Sequence, residues 1–163
     1  MLRPFLIAAV LLGLTACAGG PHYDTRTAAT DLAAAQVSAA PGAHLGTQVI
    51  WGGIIVATRN LTDHTEIEVL SYPLDGNQRP DTGSGEQGRF LARYSGYLES
   101  VDYAPGRRLT ARGRVEQTVA GKVGDAPYTF PLLQAADIYL WPRDGSAPSG
   151  PQFQFGIGVI FSR

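Results

Sequence analysis

The residue of this chain best placed to do chemistry is a thiol. Cys17 is the single cysteine and closes the run Leu14-Thr15-Ala16-Cys17. Ahead of it, Met1 to Pro4 carries Arg3, and Phe5 to Leu14 is apolar throughout. A membrane-spanning helix takes about 20 residues, so this stretch reads as a secretory leader and not as a span. Leucine, two small residues and cysteine make the lipobox spacing, at which a bacterial thiol receives a diacylglyceryl thioether. The leader is then cut away and the new amino terminus acylated. The alternative is a buried cysteine beside a helix that merely looks like a leader; charge, length, small residues and thiol together favour the lipobox. Each buried methylene contributes about 0.8 kcal/mol, and one chain alone binds only marginally. Three acyl chains, palmitate among them, make an anchor that does not let go. Ala18 follows the cysteine where an inner-membrane retention signal would place Asp, so export to the outer membrane is expected.

The other candidate groups are sparser. His22, His44 and His64 have no ligand spacing, and no thiol remains for zinc, so neither a metal nor a cofactor is expected. Gly83-Ser84-Gly85 lacks the strand-to-helix elbow of a serine nucleophile and reads as loop punctuation. Glu66 and Glu68 share a strand face about 7 Å apart, near enough for acid–base work. Their neighbours Thr65 and Ile67 point instead to a solvated face. No catalytic residue is expected, and the chain is not read as an enzyme. Basic residues gather at Arg89, Arg93, Arg107, Arg108, Arg112 and Arg114. Arg108, Arg112 and Arg114 lie on one strand face with Thr110 between them, a candidate interaction face for anionic headgroups or an acidic partner. The plainer reading is a solvated strand paired with Glu116 and Glu99. Trp51 and Trp141 fit barrel core or end-cap better than a binding groove.

Composition sets the limits around these groups. Lysine and arginine total 13 against 14 acidic residues, so total charge implies no polyanionic partner. Nucleic acid is excluded by the compartment as well. With the thiol consumed by lipid there is no disulfide, and stability must come from packing. A chain of about 150 residues buries roughly 68–70% of its unfolded surface, enough for one domain.

Three segments follow. Residues 1–16 are the leader, and 17–43 the lipidated terminus, a flexible tether and a short helix within Thr27 to Ala40. That helix is expected to start near Thr27 or Thr30, to end at Pro41-Gly42, and to lie on the domain as a spacer, since Leu32 and Val37 are its only large apolar residues. From Gly46 the period changes to two, and 44–163 is the β domain. Strands are expected at Thr47 to Arg59, Thr65 to Tyr72, Arg89 to Gly96, Arg108 to Gln117, Tyr128 to Leu133, Ala136 to Trp141 and Phe153 to Phe161. Gly52-Gly53 marks a bend or a close approach, and 73–88 is a long loop. The last strand, with Gly156 and Gly158 on its second face, either finishes the sheet or binds a partner. Such strands favour a small antiparallel barrel or sandwich. A transmembrane barrel is disfavoured, because its strands need a lipid-facing band about 9–11 residues long.

These residues carry a resemblance. Trp51-Gly52-Gly53-Ile54-Ile55, Asn60, Thr65 to Leu74, Gly88-Arg89-Phe90-Leu91, Gly106 to Gly113, Gly121 to Gly124, Tyr128-Thr129-Phe130-Pro131 and Leu140-Trp141 resemble, in order, the Slp family of bacterial outer-membrane lipoproteins. The likeness covers roughly residues 44 to 142, with the lipobox at the family's place. It sharpens the fold to an all-β, OB-like barrel of five strands. It implies a non-catalytic envelope lipoprotein, linked to stationary phase and to envelope or acid stress. Its partners would be the outer membrane, through acyl chains on Cys17, and an envelope protein or anionic headgroups, with the periplasmic side favoured over the cell surface. The alternative is a small-ligand or lipid carrier using the barrel mouth and the loop Pro73 to Gly88.

Overall fold

The computed structural model describes residues 20–143. Cys17 and the run Phe153 to Phe161 lie outside them. Five strands follow a short helix: α1 (Ala34–Ala39), β1 (Gln48–Asn60), β2 (His64–Tyr72), β3 (Arg89–Ser95), β4 (Arg108–Val123) and β5 (Ala126–Leu140). They close in the order β1-β2-β3-β5-β4, and β4 returns to β1. Every pair is antiparallel except β3 with β5. This is the five-stranded OB-like barrel.

Alternation sorts the side chains as the period of two requires. Val49, Trp51 and Ile55 of β1, Ile67 and Val69 of β2, Phe90 and Ala92 of β3, and Leu109, Ala111 and Val115 of β4 meet in one buried cluster with Leu133 of β5. Trp51 lies against Phe90, with ring centroids 5.2 Å apart. Close approach of strands needs a missing side chain at Gly53, where a Cβ would stand 1.9 Å from the Leu70 carbonyl oxygen.

Five strands are described where the sequence suggested more, because Tyr128 to Leu133 and Ala136 to Trp141 belong to one. Arg112 pairs with Asp137 but Gly113 with Ala135, leaving Ala136 as an extra residue. The bulge reverses which parity faces inward, so the hydrophobic pattern breaks while the strand does not. β4 likewise runs past Gln117 into a hairpin with β5, and its far half is largely exposed. With only Val119 and Val123 partly covered there, no sustained alternation marks the strand. Outside the barrel wall this hairpin builds a second cluster of Leu91, Phe130 and Leu132.

The helix is shorter than expected and is not a spacer. Ala34 and Val37 are fully buried in the main cluster, with Leu32 packed against it. Small residues suit it, since a bulkier helix would not fit the end of so narrow a barrel. Gln36 Oε1 accepts the Ala33 N–H at 2.7 Å, and the Ala35 N–H donates to Gln87 O at 2.9 Å. Gly88, at φ +89°, brings its backbone so near that a Cβ would sit 2.8 Å from Ala35 N. Tyr128 completes the seal: its hydroxyl accepts from Ser38 Oγ (3.1 Å) and from the Arg89 N–H (2.9 Å). At the other end, Leu98 and Tyr103 of loop 96–107 pack against the same cluster.

If α1 is core, Val37→Ala should lower the unfolding free energy by about 2 kcal/mol, as truncations of buried aliphatics do. A helix lying loosely on the surface would lose no more than about 0.5 kcal/mol. Urea denaturation followed by circular dichroism decides between the two.

Candidate functional site: a tether clamped to the barrel wall

The outer face of β1, β4 and β5 is covered by the chain itself. The β2–β3 loop folds over it, with a bridge between Leu74 and Pro80 and with Asp75 Oδ1 accepting the N–H groups of Asn77 (2.8 Å) and Arg79 (2.9 Å). These bonds hold Gln78 at φ +61°, a left-handed conformation a glutamine adopts only under constraint. The reason lies in what Gln78 reaches. Its Oε1 accepts the Tyr23 N–H at 3.0 Å and its Nε2 donates to Tyr23 O at 2.8 Å. One primary amide thus pairs with both backbone groups of a residue in the N-terminal segment. The Gln78 carbonyl meanwhile accepts the buried Thr110 hydroxyl at 2.7 Å, and Thr110 Oγ1 accepts Trp141 Nε1–H at 2.9 Å.

Aromatic rings fill the remaining space. Trp141 is buried, edge-on to Tyr139 at 4.9 Å, with the Arg79 guanidinium 5.5 Å above its ring. Gly20 lies so close that a Cβ would stand 2.7 Å from the indole. The Tyr23 ring sits 5.7 Å from the Arg112 guanidinium, which donates through Nε to Asp137 Oδ2 at 3.1 Å. Burial first, and the Asp137 charge second, push the Tyr23 hydroxyl up to about 12. Past Tyr23 the segment continues along the wall: Ala29 N–H donates to Gln48 O (2.8 Å), and Leu32 O accepts Trp51 Nε1–H (2.7 Å). Residues 20–27, expected as part of a flexible tether, are held to the domain through Tyr23, and residues 28–33, expected within the short helix, lie ahead of it along the wall.

The three arginines of the candidate interaction face share their face of β4, as alternation requires, but each is engaged by its own chain. Arg108 donates to Thr82 Oγ1 at 3.1 Å, Arg112 to Asp137, and Arg114 to the Gly46 carbonyl. Glu116 pairs with Arg93 (3.2 Å) and Glu99 accepts from Tyr97, so neither is the partner the sequence suggested. Glu66 and Glu68 are joined to Arg59 (3.1 Å) and Arg89 (2.6 Å). Each carboxylate is paired with its own arginine. Ser84 donates to Asp81 Oδ2 at 2.7 Å, and this bond, with the Gly83 N–H, holds the Asp81 carboxyl below its ordinary range. The serine orders a loop. Among the described residues no three His, Cys, Asp or Glu converge as a metal centre, and no helix is long and apolar enough to cross a membrane. A cavity of about 270 Å³ opens between segment 25–33, β1 and loop 73–87, with Leu32, Ile50, Trp51 and Leu74 beside Asp31 and Asp75.

A profile of the outer membrane lipoprotein Slp family matches residues 14–157, nearly the whole chain. The chain belongs to the Slp family. The outer membrane protein Slp of Escherichia coli K12 is 29% identical over 143 residues, covering 86% of this chain and 76% of that protein. The lipoprotein YeaY of the same strain, whose function is uncharacterised, is 34% identical over 106 residues, 65% of this chain and 54% of YeaY. An uncharacterised protein of Haemophilus influenzae Rd is 35% identical over 91 residues, 55% of this chain and 49% of its own length. The chain therefore spans about half of these two relatives and three quarters of the first. No solved structure matches. The two Escherichia coli relatives are named as a lipoprotein and an outer membrane protein, not as enzymes.

What the sequence concealed in this Slp-family chain is Gln78. Nothing in a Gly/Pro/Asp-rich loop singles out one amide, and Tyr23 sits far from it in the chain. The clamp makes a pH-dependent prediction. Because burial keeps the Tyr23 phenol protonated, its contribution to docking is complete below its ordinary value of 10.0 and is lost as pH rises towards about 12. Gln78→Ala should release the segment and return Tyr23 towards 10.0. Phenolate absorbance, read as the difference between each protein and its Tyr23→Phe partner, measures both values; an unchanged titration would show that Gln78 holds nothing.

Proposed function

We propose that this chain is a non-catalytic outer-membrane lipoprotein, anchored by acyl chains on Cys17 and facing the periplasm, that serves in envelope stress by contact with membrane components or envelope proteins. The observation that carries the contact reading is a barrel filled from wall to wall. Its core is continuous from α1 at one end to Leu98 and Tyr103 at the other, so what the domain offers is its outer surface. Family membership and the lipobox ahead of a bound N-terminal segment support the anchor. Arg114, the exposed member of the arginine set, is the one best placed to meet an acidic group.

The carrier reading rests on the cavity beside loop 73–87. The space beside Trp51 and Leu74, about 270 Å³, lies between segment 25–33, β1 and loop 73–87, with the core residue Trp51 in its lining. It falls just below the usual range of small-molecule sites, roughly 300–1,000 Å³. Contact is the stronger reading.

Cys17→Ser should accumulate as unprocessed precursor, since a hydroxyl cannot form the thioether that the lipid-dependent cleavage requires. Size on denaturing gels and membrane fractionation provide the readout. Mature-sized variant in the outer-membrane fraction would remove the anchor from this reading.

A further inference from the structure

We infer that the barrel rests on the bilayer by one end, formed by the β1–β2 turn and loop 96–107, with Leu61, Tyr97 and Val101 in the lipid interface. This rests on the anchor proposed above and adds to it an orientation and a contact surface. The bound segment sets the orientation. Gly20 lies against the Trp141 ring, and Trp141 O accepts Arg107 Nη2–H at 2.9 Å. Arg107 Nη1 donates in turn to Asp102 O at 2.8 Å. Gly20 thus lies against the Trp141 ring and the Asn77 carbonyl, with Trp141 between it and Arg107, the last residue of loop 96–107, at the end opposite α1. Cys17 lies three residues before Gly20, so their Cα atoms are at most about 11 Å apart. Acyl chains on Cys17 must therefore enter the membrane near that end.

The same end is where apolar surface is left uncovered. Leu61 is 51% exposed, Tyr97 65% and Val101 76%, and of the large hydrophobics exposed among the described residues only Leu45 lies elsewhere. They ride on one platform. Asn60 Nδ2 donates to Leu98 O at 3.0 Å, and Thr58 Oγ1 to Tyr103 O at 2.7 Å. The buried Thr65 hydroxyl shares its proton between Asn60 Oδ1 (2.6 Å) and Gly96 O (2.8 Å) while accepting the Leu98 N–H. Two aliphatic side chains and a phenol on a rigid base suit the boundary between headgroups and hydrocarbon, where aromatic rings with a polar tip collect. Three such residues bind weakly alone, but a nearby anchor makes the contact intramolecular. Around them Arg59 and Arg107 are outnumbered by Asp63, Glu99 and Asp102. The contact accordingly needs apolar depth and no anionic lipid.

The test uses full-length lipidated protein in phosphatidylcholine vesicles containing a nitroxide-headgroup lipid. Leu61→Cys, Tyr97→Cys, Val101→Cys and, at the far hairpin tip, Asp125→Cys each carry a fluorescent label. Flotation and the mass of the N-terminal peptide are measured on the same samples. Quenching several-fold stronger at 61, 97 and 101 than at 125 is expected, with or without anionic lipid. Gln78→Ala, which frees the segment, should narrow that difference while flotation persists. Protein that floats yet is quenched equally at all four sites, or most at 125, overturns the orientation alone. Protein without lipid on Cys17 that fails to float overturns the anchor and the orientation with it. Labels at 61, 97 and 101 shielded from an aqueous quencher before vesicles are added would mean that a second protein copy covers this end, and would also overturn it.

Discussion

The barrel closes because two pairs of backbones approach each other with no side chain between them. At Gly53 a methyl group would collide with the Leu70 carbonyl, and at Gly113 with that of Gln134, only 2.2 Å away. One contact lies between β1 and β2, the other between β4 and β5 beside the bulge. Together they let five strands curl tightly enough for β1 to meet β4. The rest follows from that small radius. The interior holds Trp51, Phe90, Leu109 and Leu133 in close contact and leaves no lumen. A narrow opening can be stopped by an alanine and a valine, which is why so plain a helix suffices.

Much of this was legible from residue pattern. β1, β2 and β3 begin and end within one or two residues of where alternation and turn residues placed them, and the OB-like closure followed from the glycines and the family likeness. The errors cluster where pattern stops reporting on burial. At Ala136 a bulge changes the inward parity and makes one strand look like two. Beyond Gln117 only Val119 and Val123 of β4 pack against apolar neighbours, too sparse a pattern to mark its continuation. In α1 the apolar content is low because the space is small, and low content was read as surface.

Charged residues were legible in place but not in use. Arg108, Arg112 and Arg114 stand on the face of β4 that alternation assigns them. Whether such a face is bare or covered depends on a loop from another part of the chain, and loops carry no periodicity. Thr82, Asp137 and the Tyr23 ring occupy the guanidinium groups from three separate segments. The same holds for Glu66 and Glu68, whose spacing invited a joint role that neighbouring arginines divide. Spacing within one strand shows which side chains stand together; the chain that packs above them decides what they meet.

The seal at Tyr128 bears on the order in which the molecule assembles. Ser38 and the phenol it touches are 90 residues apart in sequence, and α1 also needs Gln87 of the β2–β3 loop for the N–H of its second residue, Ala35. Contacts of such span form late, since the chain must order everything between them. A chain emerging amino terminus first therefore keeps its opening segment unsettled until β5 has been made. An enzyme acting on that terminus would then meet it before the helix draws the following residues against the wall.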